Sequence, residues 1–227
     1  MTGLIAALDT ADLSQAAHWA GQLAPHCGML KVGLEFFCGH GAPGVLAVAQ
    51  RPVFLDLKLH DIPNTVAGAV RAVLPLRPHM LTLHAAGGAA MLAAGRKAAD
   101  DAPDRPLLLA VTVLTSLGAE ALHATGVAGG PRQQVLRLAR LALDCGVDGL
   151  VCSPHEISLL RDALGAGPLL VVPGIRPAGF APDDQARTMT PQEAAAAGAD
   201  WLVVGRPITA AADPAAAAAA IAQELAG

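Results

Sequence analysis

The sequence has no tyrosine, and aromatic residues make up only 3% of its 227 positions. Aromatic stacking platforms for nucleic acid are therefore scarce. A formal charge of −4 also speaks against the basic footprint of a nucleic-acid binder. No apolar run approaches the roughly 20 residues that a membrane span needs. Asp9 ends the first apolar run too early for a secretory signal. The four cysteines, Cys27, Cys38, Cys145 and Cys152, form no CxxC pair and read as reduced thiols of a cytoplasmic protein. The eight histidines include no HxxxH spacing, so no metal site is expected. Apolar residues reach 53%, but much of that share is alanine, which suits close-packed helices.

Within this composition one stretch stands out, Val53-Phe-Leu-Asp-Leu-Lys-Leu-His-Asp-Ile-Pro-Asn-Thr65. It starts as an apolar run of strand length, interrupted by Asp56 and Lys58. Residues two apart in a strand share a face at roughly 6.7 Å, so these two charges are expected side by side. Asp61 follows where Pro63 signals the strand's end, and Asn64 or Thr65 can cap the next helix. Three charges thus gather at the end of an apolar strand, where burial is tolerated only with partners. A structural ion pair and a reactive array are both compatible with that pattern.

Along the chain, strands are expected at Leu4–Leu8, Met29–Gly33, Val53 onward, Met80–His84, Leu107–Leu114, Gly149–Cys152, Leu169–Val172 and Trp201–Val204. Helical patterns follow them at Asp12–Ala24, Ala42–Ala49, Thr65–Leu74, to about Ala99, Pro131–Asp144, His155–Leu164 and Pro191–Ala197, and from Pro207 onward. A polar loop is expected over Thr115–Gly130, and Asp213-Pro214 marks another helix start. Eight strand–helix pairs with no break in composition predict one (β/α)8 barrel across residues 1–227, with a doubly wound open sheet as the alternative. In a barrel the reactive groups sit at the C-terminal ends of strands. Asp9, Lys31, Asp56, Lys58, Thr115, Arg176 and Arg206 all fall near such ends.

Val203-Val-Gly-Arg-Pro207 puts Gly205 and Arg206 at the top of the last strand, before a helix start. That suits a phosphate, although a helix cap with a surface arginine would read the same. The segment Gly174–Gln185 is long for a βα connection and carries Arg176 and Gln185, as a lid or a solvated loop would. His84 either lines the barrel mouth or packs as a hydrogen-bonded histidine. The direction of His60 is left open, because the strand is ending there.

Taken together, Asp56-Leu-Lys-Leu-His-Asp-Ile-Pro-Asn-Thr65 resembles the signature of the orotidine 5′-phosphate decarboxylases. Leu8-Asp9, Lys31-Val-Gly33, Val111-Thr-Val-Leu-Thr-Ser116, Val172-Pro-Gly-Ile-Arg176, Asp183-Asp-Gln185 and Val204-Gly-Arg-Pro207 match the same family in order, over nearly the whole chain. A bare DxKxxD is shared with related barrels, and the ten-residue form is far more specific. The resemblance implies a homodimer of barrels that converts orotidine 5′-monophosphate to UMP and carbon dioxide without metal or organic cofactor. By match, Asp56, Lys58 and Asp61 form a charged array with Lys31, with Lys58 as proton donor. Asp61 and Thr65 reach the partner's site, and Asp9 and Lys31 hold the ribose. Thr115 and Ser116 face the pyrimidine, while Arg176, Gln185, Gly205 and Arg206 hold the phosphate. Two rivals remain. Mg²⁺-dependent sugar-phosphate barrels share the DxKxxD but place an acidic ligand near the end of strand two, where this chain has Lys31. A non-catalytic nucleotide-binding barrel would keep the phosphate site without the charges.

Overall fold

The computed structural model describes residues 2–177 and 188–226. Eight parallel strands close into a barrel in sequence order: β1 Gly3–Ala7, β2 Met29–Gly33, β3 Val53–Leu59, β4 Met80–His84, β5 Leu107–Val111, β6 Gly149–Val151, β7 Leu169–Val172 and β8 Trp201–Val204. β1 pairs with both β2 and β8, which closes the ring and settles the choice against an open sheet. The helices are α1 Leu13–Leu23, α2 Leu34–Val48, α3 Pro63–Val73, α4 Ala89–Ala99, α5 Ala119–Ala124, α6 Pro131–Asp144, α7 Ile157–Leu164, α8 Pro191–Ala196, α9 Arg206–Thr209 and α10 Pro214–Ala226. None of the described helices is long and apolar enough to cross a membrane.

Strand alternation divides the core in two. Ile5, Met29, Phe54, Met80, Leu109, Val171 and Val203 fill the barrel's interior. Their neighbours, such as Leu4, Leu30, Leu55 and Leu81, point outward and bury the apolar faces of the helices. The barrel floor is closed by Trp201. A Cβ on Gly3 would stand 2.4 Å from the indole ring and one on Gly28 2.8 Å, so both positions have to lack a side chain.

Two matching clasps tie strand starts together at the same end. The Asp148 N–H donates to the Leu108 carbonyl while its carboxylate accepts the Leu108 N–H, and Arg105 grips both carboxylate oxygens at 2.8 Å. Asp200 repeats the pattern on Leu170, with Arg161 as its cation. Burial would raise the Asp148 carboxyl, but the Arg105 hydrogen bonds, the Leu108 N–H and the charges of Arg105 and Arg96 outweigh it and hold the group below its ordinary value.

The expected element boundaries shift in four places. The helix expected from Ala42 is present as the second piece of α2; a further helical piece from Leu34 precedes it, and the two meet at a kink where Gly41 takes a φ of 55°. β5 ends at Val111 rather than Leu114, since its neighbour β6 offers partners only as far as Val151. β3, with seven residues, is therefore the longest strand. The loop over 115–130 contains α5. α3 starts at Pro63 with Ile62 in the cap position, so neither Asn64 nor Thr65 caps it. The Asp61 carboxylate accepts the Ile62 N–H instead.

Candidate active site

At the C-terminal end of the barrel lies a cavity of about 490 Å³. One wall is charged. Lys31, nearly buried on β2, donates to Asp9 Oδ1 at 2.9 Å and stands 3.8 Å from Asp56 Oδ2. Lys58 donates to the same Asp56 oxygen at 2.8 Å. Two carboxylates and two ammoniums thus alternate along a line, so each charge has an opposite neighbour. Val111, Val113, Val151 and Val203 over Phe54 add apolar surface, beside Thr115, Arg176 and Arg206. Where apolar side chains lower the local dielectric, the fields of these charges are stronger than they would be in water.

Plain alternation does not produce the Asp56–Lys58 pair. Lys58 has a φ of 49°, the left-handed region that side chains rarely adopt. Leu55 pairs with Leu81 and Leu59 with Leu83, so four residue steps on β3 oppose two on β4. The bulge turns the end of β3 and carries the ammonium back to the carboxylate. Such strain, of order 1–3 kcal/mol, is found mainly where surrounding structure holds it for a purpose. Thr82 faces the bulge from β4. Its hydroxyl accepts the Lys58 N–H at 2.8 Å and donates to Asp56 Oδ1 at 3.1 Å. Thr82 was not among the expected site residues, though it is the one polar residue amid Met80-Leu-Thr-Leu83 and could have been singled out on that ground.

Asp9, Lys31, Asp56, Lys58, Thr115, Arg176, Gly205 and Arg206 all line the cavity, as the strand-end rule predicts. Ser116 is exposed beside it. Asp61 does not join the charged line of its own chain. It is exposed on a neighbouring dent with His60, Ile62 and Pro63, and Thr65 is exposed on the first turn of α3. Gln185 lies outside the described residues. Arg176 is buried after β7, where its N–H donates to the Met189 carbonyl. Arg206 opens α9, a single turn whose dipole is small, so the two guanidiniums rather than the helix end supply the positive charge here. His84 packs: its ring stacks on His60 at 5.2 Å and its Nδ1 accepts the Ala86 N–H. Burial first, then the charges of His60 and Lys58, lower its affinity for a proton.

The model of the "Orotidine 5′-phosphate decarboxylase / HUMPS" family matches residues 2–221. The chain belongs to this family. A protein of Gluconobacter oxydans named orotidine 5′-phosphate decarboxylase is 59% identical over 99% of this chain and 98% of its own length. One of Anaeromyxobacter bearing the same name is 56% identical over 98% and 97%. The crystal structure of orotidine 5′-phosphate decarboxylase from Lactobacillus acidophilus superposes with a TM-score of 0.89 at 37% identity, covering both chains completely. The expected family therefore holds, the barrel is the family's fold, and the chain is an enzyme of the carboxy-lyase class. The likeness to these decarboxylases runs end to end.

Proposed function

We propose that the cavity takes orotidine 5′-monophosphate and releases UMP and carbon dioxide, the last step of making UMP, with Lys58 delivering a proton to carbon 6. The observation that carries this reading is the alternating line Asp9–Lys31–Asp56–Lys58 at the mouth of an apolar-backed cavity. Carbon dioxide leaves when its bond to carbon 6 breaks and the electron pair stays on the ring. That carbanion has little resonance stabilisation. A fixed ammonium opposes the developing charge without needing to reorganise, and then gives up a proton, which forms the new C–H bond. Lys58 is left neutral and regains its proton from solvent. Asp56 holds the Lys58 ammonium at 2.8 Å and faces the departing carboxylate, and the repulsion between the two carboxylates ends as carbon dioxide forms.

Asp9 and Lys31 hold the ribose hydroxyls, and Thr115 and Ser116 face the pyrimidine. Arg176, Gln185, Gly205 and Arg206 hold the phosphate. The phosphate is remote from carbon 6, so its binding energy is available for positioning at the reacting centre. Asp61 and Thr65 complete the site of a second subunit in a homodimer. What supports this is their exposure beside Ile62, itself 66% exposed, outside their own chain's cavity. The enzyme works in the cytoplasm with neither metal nor organic cofactor.

The test is the ultraviolet absorbance of orotidine 5′-monophosphate incubated with purified protein in EDTA. Conversion to UMP is expected. Activity that EDTA abolishes and Mg²⁺ restores would assign the chain to the metal-dependent branch. UMP binding without turnover would leave a nucleotide-binding barrel.

A further inference from the structure

We propose that Thr82 is a positioning residue that holds the Asp56–Lys58 pair in register for the reaction. The inference rests on the reading of that pair as the reacting groups. Thr82 is completely buried on β4, and its position shares the interior-facing parity of Met80 below it. It sits opposite the place where β3 inserts extra residues, so the ladder between the two strands has no backbone partner to offer there. The hydroxyl fills that gap in both directions. It accepts the N–H of Lys58, the residue with the left-handed backbone, and donates to the Asp56 oxygen that Lys58 does not hold. One hydroxyl thus fixes the carboxylate's rotation and the bulge that aims the ammonium. Lys58 itself touches Asp56 Oδ2 only, so without Thr82 the carboxylate could rotate and the bulge would lose the hydrogen bond at its centre.

The experiment compares Thr82→Val, which keeps the shape and removes the hydroxyl, with Thr82→Ser, which keeps the hydroxyl. Lys58→Ala serves as the reference. Turnover of orotidine 5′-monophosphate and the dissociation constant of UMP are measured for each. Thr82→Val is expected to lower kcat by about 10- to 100-fold, the scale of a lost hydrogen bond to a charged group. Its UMP affinity is expected to stay within about threefold, because UMP lacks the carboxylate that the pair acts upon. Thr82→Ser is expected to recover kcat to within about threefold of the parent. If Thr82→Val does not fold, Thr82→Ala, which removes the hydroxyl together with the methyl, carries the same expectation. Full kcat in the variant lacking the hydroxyl would overturn the proposal. So would a loss of UMP affinity in step with kcat, or a Thr82→Ser enzyme as impaired as Thr82→Val. If Lys58→Ala turns over normally, the reading of the reacting pair fails. If Lys58→Ala is inactive and Thr82→Val is not impaired, only the role of Thr82 fails.

Discussion

Replacing Lys58 by alanine removes an ammonium held 2.8 Å from Asp56 Oδ2 and leaves the rest of the charged line standing. A unit charge about 4 Å from a developing carbanion, at an effective dielectric constant of about 20, is worth about 4 kcal/mol. At about 1.4 kcal/mol per factor of ten, that is roughly 10³ in rate. Loss of the positioned proton donor contributes about 10²–10⁴ more. Together kcat should fall by about 10⁵ or beyond. The fold should hardly notice. Asp56 is not orphaned, because Lys31 remains 3.8 Å from the same oxygen and Thr82 still donates to the other. Lys58 is itself 31% exposed on its side chain, so the missing pair is worth about 1 kcal/mol or less. For a chain of this size that is a shift of about 2–4 °C in melting temperature. The assay is the absorbance decrease of orotidine 5′-monophosphate, with UMP binding by calorimetry and a thermal melt as controls. A Lys58→Ala protein that melts normally, binds UMP and keeps more than about a tenth of the parent kcat would refute the reasoning.

Arg206→Ala should weaken UMP by about 10- to 100-fold, the scale of a lost charge-assisted hydrogen bond, and leave uridine binding unchanged; equal weakening of both would deny Arg206 the phosphate. Asp148→Asn keeps an acceptor for the Leu108 N–H but loses the charge facing Arg105. Because the folded Asp148 carboxyl titrates below its ordinary value of 3.8, its contribution is present above that value and is lost as pH falls through the folded one. Thermal melts should therefore show the variant lower by about 2–6 °C at neutral pH, with the gap closing in acid, and a gap that persists unchanged would argue against an ionic clasp. Mixing and re-associating the inactive variants Lys58→Ala and Asp61→Ala should restore about a quarter of the parent activity, since half of the random dimers carry one site with both groups. No recovery would place Asp61 outside the partner's site.

The barrel was legible because eight short apolar runs alternate with helical patterns, most of the runs being closed by a charge, a glycine or a proline. Asp9, Lys31, Asp56 and Lys58 were legible for the same reason, as charges that a buried strand would otherwise exclude. Geometry that the side-chain types do not encode was hidden. Nothing about lysine announces a positive φ, so simple alternation predicted the right pair by the wrong path. The helical piece from Leu34 to His40 was masked by Gly39, Gly41 and Pro43, which mark a real kink at Gly41 but also hid the helix ahead of it. Thr82 was visible as a lone hydroxyl in an apolar strand, but single threonines are common in strands and only the register break beside it gives this one a task.

The apolar half of the site was hidden for a different reason, and that reason bears on the chemistry. Val111, Val151 and Val203 occupy strand positions that any barrel core would fill in the same way, so no pattern sets them apart. Yet the charged line comes from β1, β2 and β3, with Thr82 on β4, while β5, β6 and β8 supply the valines. Arg176 and Arg206 enter the same cavity from beyond β7 and β8, but the four charges that alternate lie on or beside consecutive strands. Gathering them on consecutive strands lets neighbours satisfy one another along the line and leaves Val111, Val151 and Val203 as apolar surface elsewhere in the cavity. A reaction that turns a carboxylate into neutral, apolar carbon dioxide gains from both walls, because the ammonium stabilises the charge left on the ring while the valine face accepts a product that has no charge to solvate.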